Sequence, residues 1–279
     1  MIVNIHTTVS DFSFPFFEYM KENYTNTSSK KNELVFYAYC LDNKSYNKAS
    51  QIVNSIKSIE SRGTDGHCNG VKSIFSNLKN TAADSFDIIC DSDTVMLVNS
   101  WDIIIENILR KVGILGSSYE KIGGYSSGNS NVQTYKNKPN LTWFAISRRY
   151  DFSKIQLDPG KNSHLDISNE RLSDLYQLPI GYKLLKDAGW QIPSYLNDNS
   201  IPYKTLSHEK PTALAKVLKT NQDYHEEFQL DGIPFVAHQR GSMSKEFRKH
   251  KLSKSFYDVL DAYFNEVGSQ GKILENLDF

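Results

Sequence analysis

Two aspartates, one residue apart, follow an apolar run in the stretch FDIICDSDTVML, residues 86 to 97. Asp91 and Asp93 lie where a buried strand is expected to end, so both carboxylates can turn toward one cation as the chain leaves its pleat. Carboxylate oxygens are the ligands that hard divalent metals prefer. The pattern therefore indicates a metal site, although an Asp-Ser-Asp can also be an ordinary turn whose carboxylates bond the backbone.

A histidine near the end of the chain is the candidate third ligand. His238 follows the apolar run IPFVA, residues 233 to 237, which is expected to be a strand. A neutral imidazole binds metals through either ring nitrogen. A lone histidine in this setting is more often structural, and the pairing with Asp91 and Asp93 is what favours a metal ligand.

The elements that must position these residues alternate in type along the first half of the chain. Strands are predicted over 2–8, 34–40 and 86–90, and helices over 15–24, 45–60, 69–80 and 101–109. That order is typical of a parallel sheet covered by helices. Ligands of such sheets collect at the carboxyl ends of the strands, which is where the two aspartates lie.

The second half is less regular. The Gly, Ser and Asn-rich segment 113–140 predicts a mobile loop beside the site. Further predictions are a strand within 141–149, a helix over 181–188, a strand over 233–237 and a helix over 254–267. No internal repeat or low-complexity linker divides the chain, so one domain with a C-terminal extension is expected.

Composition limits the classes of function. The chain has 279 residues, 39% hydrophobic, and its 32 basic and 32 acidic residues cancel, so no whole-molecule field favours nucleic acid or an anionic membrane. No run approaches the roughly 18 apolar residues of a membrane span, and the first residues lack a secretory-signal pattern. Cys40, Cys68 and Cys90 lack metal-finger spacing and are expected to be reduced. We expect a soluble, cytoplasmic protein without a nucleic-acid partner or a transmembrane segment.

The aspartate pair resembles the site of haloacid dehalogenase-type phosphatases. DSDTV, residues 91 to 95, fits their pattern of Asp, any residue, Asp, any residue, then Thr or Val. The resemblance implies Asp91 as a nucleophile with Mg²⁺ as its partner. Those enzymes open with that strand and carry a later GDxxxD-like acidic pair, whereas here other strands come first and no such pair is found. The phosphatase is therefore kept as the alternative hypothesis.

Four segments together resemble glycosyltransferases of the GT-A fold, over roughly residues 1 to 245. They are the DxD motif at 91–93, GHCNG at 66–70, KDAGWQI at 186–192 and PFVAHQRGSMSKEFR at 234–248. Glycines permit close backbone approach and a helix N-terminus favours anions, which suits the second segment to a phosphate-bearing donor.

The resemblance implies a GT-A fold, a Rossmann-like α/β arrangement whose central, mainly parallel sheet is flanked by helices. The GT-A domain would span 1–245, and 246–279 would form a helical extension packed on it. The enzyme implied is a hexosyl- or pentosyltransferase that moves a sugar from a nucleoside diphosphate sugar, of UDP or GDP type, to a hydroxyl of a carbohydrate or glycoconjugate acceptor. Its cofactor would be Mn²⁺ or Mg²⁺, which neutralises the departing diphosphate.

The resemblance also implies roles for particular residues. Asp91, Asp93 and His238 would hold the metal, with Asp91 alternatively facing the ribose. Asp174 would be the catalytic base, with Asp166 as the alternative, if the sugar configuration inverts. Donor contacts are expected from strand ends, the DxD motif and the late basic loop, at Thr7, Thr8, Asp42, His67, Gly70, Asp91, Ser92, Arg240 and Ser242.

Two further hypotheses are weaker. A non-catalytic nucleotide-sugar-binding scaffold would keep the fold. However, the carboxylates of Asp91 and Asp93 would repel each other if no metal were bound between them, and this repulsion would destabilise a protein that does not use the metal. A nucleotidyltransferase of similar topology would need a Gly-rich loop near the first strand, and IVNIHTTVSDFSF, residues 2 to 14, does not contain one.

Overall fold

The computed structural model of the protein describes residues 1–57, 64–78, 84–118, 132–133, 137–155, 157, 163–186, 189–209 and 225–239. The predicted donor contacts Arg240 and Ser242 lie outside these residues. So do the predicted helix over 254–267 and the proposed C-terminal extension over 246–279.

Strands and helices alternate from the start of the chain. The first elements are β1 Ile2–Val9, α1 Phe14–Thr27, β2 Glu33–Cys40, α2 Asn43–Ala49, β3 Asn54–Lys57, α3 Thr64–Asn77, β4 Ser85–Asp91, β5 Thr94–Met96 and α4 Trp101–Leu109. The later elements are β6 Ile114–Ser118, β7 Val132–Gln133, β8 Pro139–Ser147, β9 His164–Asp166, α5 Glu170–Tyr176, β10 Lys183–Leu185, α6 Ile192–Asp198, β11 Tyr203–Glu209, β12 His225–Leu230 and β13 Ile233–Gln239. No helix of the described part combines the length and the apolarity needed to cross a membrane.

One large sheet runs in the order β3-β2-β1-β4-β8-β6-β11-β12-β13-β5. The neighbours β3, β2, β1 and β4 are parallel, as are β6 and β11, and the remaining neighbours are antiparallel. Strands β1, β2, β3, β4, β6, β11 and β13 therefore point one way, and β5, β8 and β12 the other. The predicted α/β class, with a large central sheet flanked by helices, is confirmed, and the sheet is mainly parallel in that seven of its ten described strands point the same way.

The two faces of this sheet are buried under different helices. Phe86 and Ile88 of β4 join a core with α1 and α4. Ile89 joins a second core with Val71 and other side chains of α3. Since successive strand residues alternate between faces, Asp91 lies on the same face as Ile89, the face that α3 covers.

Two of the predicted helices are wrong. The helix predicted over 45–60 ends at Ala49, and residues 54–57 form β3, which pairs in parallel with β2 from Asn54 opposite Tyr37. The β-branched Ile56 suits that edge strand, and backbone pairing prevailed over the helical spacing of the apolar residues. The helix predicted over 181–188 is replaced by a turn at Gly181, whose φ of 90° suits glycine, followed by β10.

The predicted loop over 113–140 is also wrong in part. Its first residues form β6, in which Ile114 and Leu115 are fully buried. A Cβ placed on Gly116 would lie 2.9 Å from the Cβ of Phe144 on the neighbouring strand. The glycine therefore serves close strand packing rather than a flexible turn.

A second, smaller sheet has the order β7-β10-β9. It has its own apolar cluster, which includes Leu175 and Tyr176 of α5 and Leu184 of β10. Asp166 ends β9, and Asp174 lies on α5. The two predicted catalytic carboxylates thus belong to this smaller unit.

Candidate metal site

Three side chains meet beyond the carboxyl end of β4. Ligand-type atoms of Asp91, Asp93 and His238 all lie within 4.8 Å of one another. His238 Nε2 is 3.6 Å from Asp91 Oδ2 and 3.3 Å from Asp93 Oδ1. The structure therefore brings together the three residues that were predicted to hold the metal.

Long-range strand pairing places the histidine there. β4 ends at Asp91, residues 91–94 form a turn that we call the aspartate turn, and β5 starts at Thr94. β5 runs antiparallel to β13 with His238 opposite Thr94. Thr94 Oγ1 donates a hydrogen bond of 2.9 Å to the Asp91 carbonyl, which closes the turn.

Buried polar groups support the aspartate turn from behind. Trp143 Nε1 donates to the Tyr24 hydroxyl at 3.0 Å, and that hydroxyl lies 3.2 Å from Thr94 Oγ1. The side chain of Asn23 bonds both the N–H and the carbonyl of Met96, at 2.8 and 3.2 Å. Because these partners are buried, they anchor the turn and β5 to α1 and β8. Sequence reasoning missed this support, since Asn23 and Tyr24 on α1 and Trp143 on β8 look like ordinary core positions.

Helix α3 brings a second histidine to the same edge. His67 Nδ1 lies 3.1 Å from Thr8 Oγ1, and Nε2 lies 3.8 Å from Asp91 Oδ1. Thr8 is directly opposite Asp91 in the pairing of β1 with β4. A Cβ on Gly70 would lie only 2.5 Å from Thr8 Cγ2, so the glycine lets α3 approach β1 closely. Four of the predicted donor contacts, Thr8, His67, Gly70 and Asp91, are therefore neighbours.

The electrostatics of the cluster favour a cation. Burial alone would lower the pKa of His238, but the carboxylates of Asp93, Glu226 and Asp91 outweigh it and raise that pKa well above its ordinary value. A proton on the imidazole thus neutralises part of the charge of the carboxylates. A bound metal would neutralise the same charge in the place of that proton.

The donor set fits a hard divalent metal. Two carboxylates and one imidazole are ligands of Mg²⁺, Mn²⁺ and related ions. The side chains of Asp93 and His238 are 7% and 11% exposed, whereas that of Asp91 is 27% exposed. The cluster therefore has an enclosed side at Asp93 and His238 and a more open side at Asp91.

Other predicted donor contacts are engaged or buried. Asp42 caps α2, with Oδ1 accepting from the Ser45 N–H at 2.7 Å and Oδ2 from the Asp11 N–H at 2.8 Å. Thr7 is fully buried, and Ser92 is 6% exposed. Contact of these three residues with a donor stays a prediction.

The two predicted catalytic carboxylates lie on the smaller sheet unit. Asp166 Oδ1 is 3.8 Å from Lys183 Nζ, and its side chain is 76% exposed. Asp174 is exposed on α5. Neither is a member of the metal cluster. Their catalytic role stays a prediction.

Sequence reasoning also missed a carboxylate behind His238. Glu226 Oε2 lies 2.9 Å from His238 Nδ1, and Glu226 Oε1 lies 3.7 Å from His208 Nε2. Glu226 is followed by Glu227 in the strand HEEFQL of β12. Two consecutive glutamates in a sequence more often lie at a solvated edge of a sheet. Only the alternation of side chains along the strand, which sends Glu226 and Glu227 to opposite faces, distinguishes the environments of the two residues.

No protein-family model and no curated protein sequence matches the chain. Among solved structures, the chain is similar to a CMP:2-keto-3-deoxy-manno-octonic acid synthetase complexed with CTP, at 8% identity and a TM-score of 0.42, over 74% of this chain and 90% of the other. It is similar to the mannosyltransferase PcManGT from Pyrobaculum calidifontis, in complex with GDP-Man and Mn²⁺, at 11% identity and a TM-score of 0.37, over 78% and 60%. It is also similar to the galactosyltransferase LgtC, in complex with donor and acceptor sugar analogues, at 11% identity and a TM-score of 0.39, over 73% of each chain.

What the described residues establish is local: two carboxylates and an imidazole converge at the carboxyl edge of a parallel β-α-β unit. The chain is an α/β protein with a candidate divalent-metal centre.

Proposed function

We propose that the chain is a metal-dependent glycosyltransferase of the GT-A type, which moves a sugar from a nucleoside diphosphate sugar to an acceptor hydroxyl. The observation that carries the proposal is the cluster of Asp91, Asp93 and His238, with ligand atoms within 4.8 Å of one another. Its fit to the DxD motif and late histidine of that family supports the proposal.

The surroundings of the cluster suit a donor that carries a diphosphate. Parallel strands β1, β2 and β4 end at one edge, where α/β proteins bind nucleotides. Thr8 and His67 offer a hydroxyl and an imidazole at this edge, beside the exposed side of Asp91. A divalent metal bound there would neutralise the diphosphate as it leaves. The donor we propose is of UDP or GDP type.

Transfer also needs a place for the acceptor. The smaller sheet unit supplies exposed carboxylates, so we propose Asp174 as the base that removes the acceptor proton, with Asp166 as the alternative. The proposed domain spans 1–245, with 246–279 as an extension. The sugar transferred is a hexose or a pentose, and the acceptor is a carbohydrate or glycoconjugate.

A thermal-shift panel tests the proposal. UDP, GDP, CDP, dTDP and ADP are each added with Mn²⁺ and again with EDTA. A ligand at a hundred times its dissociation constant stabilises by about 2.7 kcal/mol, which for a chain of this size raises Tm by roughly 5 to 10 °C. We expect one nucleotide to raise Tm with Mn²⁺ and not with EDTA.

Two variants make the panel specific. Asp93→Asn should remove the metal-dependent shift in Tm, because a neutral amide replaces the negatively charged carboxylate at the centre of the cluster. Asp231→Asn, in an exposed turn between β12 and β13, removes the same charge and should keep the shift. If Asp93→Asn showed the same metal-dependent rise in Tm as wild type, the assignment of the metal site would be wrong. Absence of any shift, together with metal-dependent hydrolysis of a phosphate monoester, would support the phosphatase instead.

A further inference from the structure

Glu226 stands directly behind the candidate metal ligand His238. The two residues are opposite each other in the antiparallel pairing of β12 with β13. Glu226 Oε2 lies 2.9 Å from His238 Nδ1, whereas His238 Nε2 lies on the side of Asp91 and Asp93. The imidazole therefore lies between one carboxylate behind it and two in front of it.

This contact assigns separate tasks to the two ring nitrogens. An ionised carboxylate only accepts hydrogen bonds, so Nδ1 of His238 must donate to Glu226. In the neutral ring, Nε2 then presents its lone pair toward Asp91 and Asp93. A carboxylate behind a metal-bound histidine commonly sets both the tautomer and the orientation of the ring.

The carboxylate of Glu226 is itself held in place. His208 on β11 approaches from the other side, with Nε2 at 3.7 Å from Glu226 Oε1. The side chains of His208 and Glu226 are 6% and 17% exposed, and the His208 ring packs at 5.3 Å from that of Phe228. Glu226 is thus enclosed between two imidazoles rather than solvated at an edge of the sheet.

We propose that Glu226 is a positioning residue of the metal centre, which acts through His238 by fixing the nitrogen that faces the metal. The inference rests on the metal site of the proposed function and adds a residue to it. Glu226 does not bind the metal. Its loss leaves the His238 ring free to rotate or to present the wrong tautomer, so metal affinity falls although all three ligands remain.

The test is a titration of the full chain with Mn²⁺ in the absence of nucleotide. The electron paramagnetic resonance signal of free Mn²⁺ reports how much of the metal is not bound. Glu226→Ala should weaken binding by about 10-fold to 100-fold. Glu226→Gln keeps an oxygen that accepts from Nδ1, so its affinity should lie between those of Glu226→Ala and wild type. The control is Asp231→Asn, which removes one negative charge from the same hairpin at a φ of 50° that asparagine tolerates, and it should bind as wild type does.

Recovery in Glu226→Gln separates positioning from general structural damage, and thermal unfolding of each variant verifies the fold. Equal affinities of wild type and Glu226→Ala would overturn the inference. If Glu226→Ala does not fold, Glu226→Leu replaces it, because leucine has a similar volume and no oxygen that accepts from Nδ1, and affinity equal to that of wild type would then overturn the inference. If the wild-type chain binds no Mn²⁺, the proposed function itself loses its metal site, and the positioning role falls with it.

Discussion

Gly70→Ala tests how closely helix α3 must approach the strand that carries Thr8. The new Cβ would lie 2.5 Å from Thr8 Cγ2 and 3.1 Å from Leu41 Cδ2. Thr8 is 7% exposed, so its methyl group has little room to move away. Overpacking of this kind costs about 1 to 3 kcal/mol, and the higher helix propensity of alanine returns about 1 kcal/mol. We expect a net loss of stability of about 0 to 2 kcal/mol.

Thr8→Ser supplies the matched second change. Serine lacks the methyl that the new Cβ would meet and keeps the hydroxyl that contacts His67 at 3.1 Å. Alone it should cost about 1 kcal/mol, the value of one buried methyl group. In that background Gly70→Ala should be neutral or stabilising by up to about 1 kcal/mol, because the propensity gain is then opposed mainly by the milder contact with Leu41 Cδ2 at 3.1 Å. The two changes should therefore be coupled by about 1 to 3 kcal/mol.

Urea unfolding of the four proteins of this cycle measures the coupling. Equal m-values would show that the same surface is exposed in each, so differences in midpoint report stability. If the two changes were additive within about 0.5 kcal/mol, the close approach of α3 to β1 at this point would be refuted.

Three further predictions concern the base, the pH response and a buried ion pair. Asp174→Asn should keep the metal-dependent nucleotide shift and lower transfer by about a hundredfold to ten-thousandfold, and a turnover assay with unchanged rates would count against it as the base. The raised pKa of His238 means that its imidazolium stabilises the metal-free protein fully below the ordinary pKa of 6.5, and that this contribution is lost as pH rises through the raised pKa. Mn²⁺ affinity should rise over the same pH range, and metal-free His238→Asn should lack this part of the pH dependence of Tm; identical profiles would contradict the argument. Asp87, 1% exposed, pairs with an imidazole at 2.9 Å and a guanidinium at 3.2 Å, so Asp87→Asn should cost about 3 kcal/mol in urea unfolding. Asp11→Asn, whose pair with Lys48 is on the surface, should cost less than about 1 kcal/mol, and equal losses would argue against a buried pair.

Much of the first half of the fold could be predicted because its apolar residues follow clear periods. β1, β2 and β4 are runs of strand length, and α1, α3 and α4 place their apolar residues on one face. The helix predicted over 45–60 is wrong because Ile56, which fits a helical period, lies in the edge strand β3. The pairing of residues 54–57 with β2 favoured the strand over the helix, and strand pairing depends on residues that are distant in sequence.

The metal ligands could be predicted for a different reason. Asp91 and Asp93 follow an apolar strand, and ligands of an α/β sheet bind beyond the carboxyl ends of its strands. Glu226 could not be predicted, because its partner His238 lies across a β-hairpin and the side chain next to it, Glu227, is equally acidic. Asp42 shows the opposite case, since a helix cap and a nucleotide contact have the same sequence pattern.

The types of ligand and the strand ends that carry them can be deduced from the amino-acid sequence, because side-chain chemistry and strand alternation are local properties. The orientation of His238, with Nε2 toward the two aspartates and Nδ1 toward Glu226, follows from the packing of distant strands. That arrangement depends on β13 lying between β5 and β12. Which strands become neighbours is set by hydrogen bonding and burial summed over the whole sheet, and no short stretch of the chain contains that information.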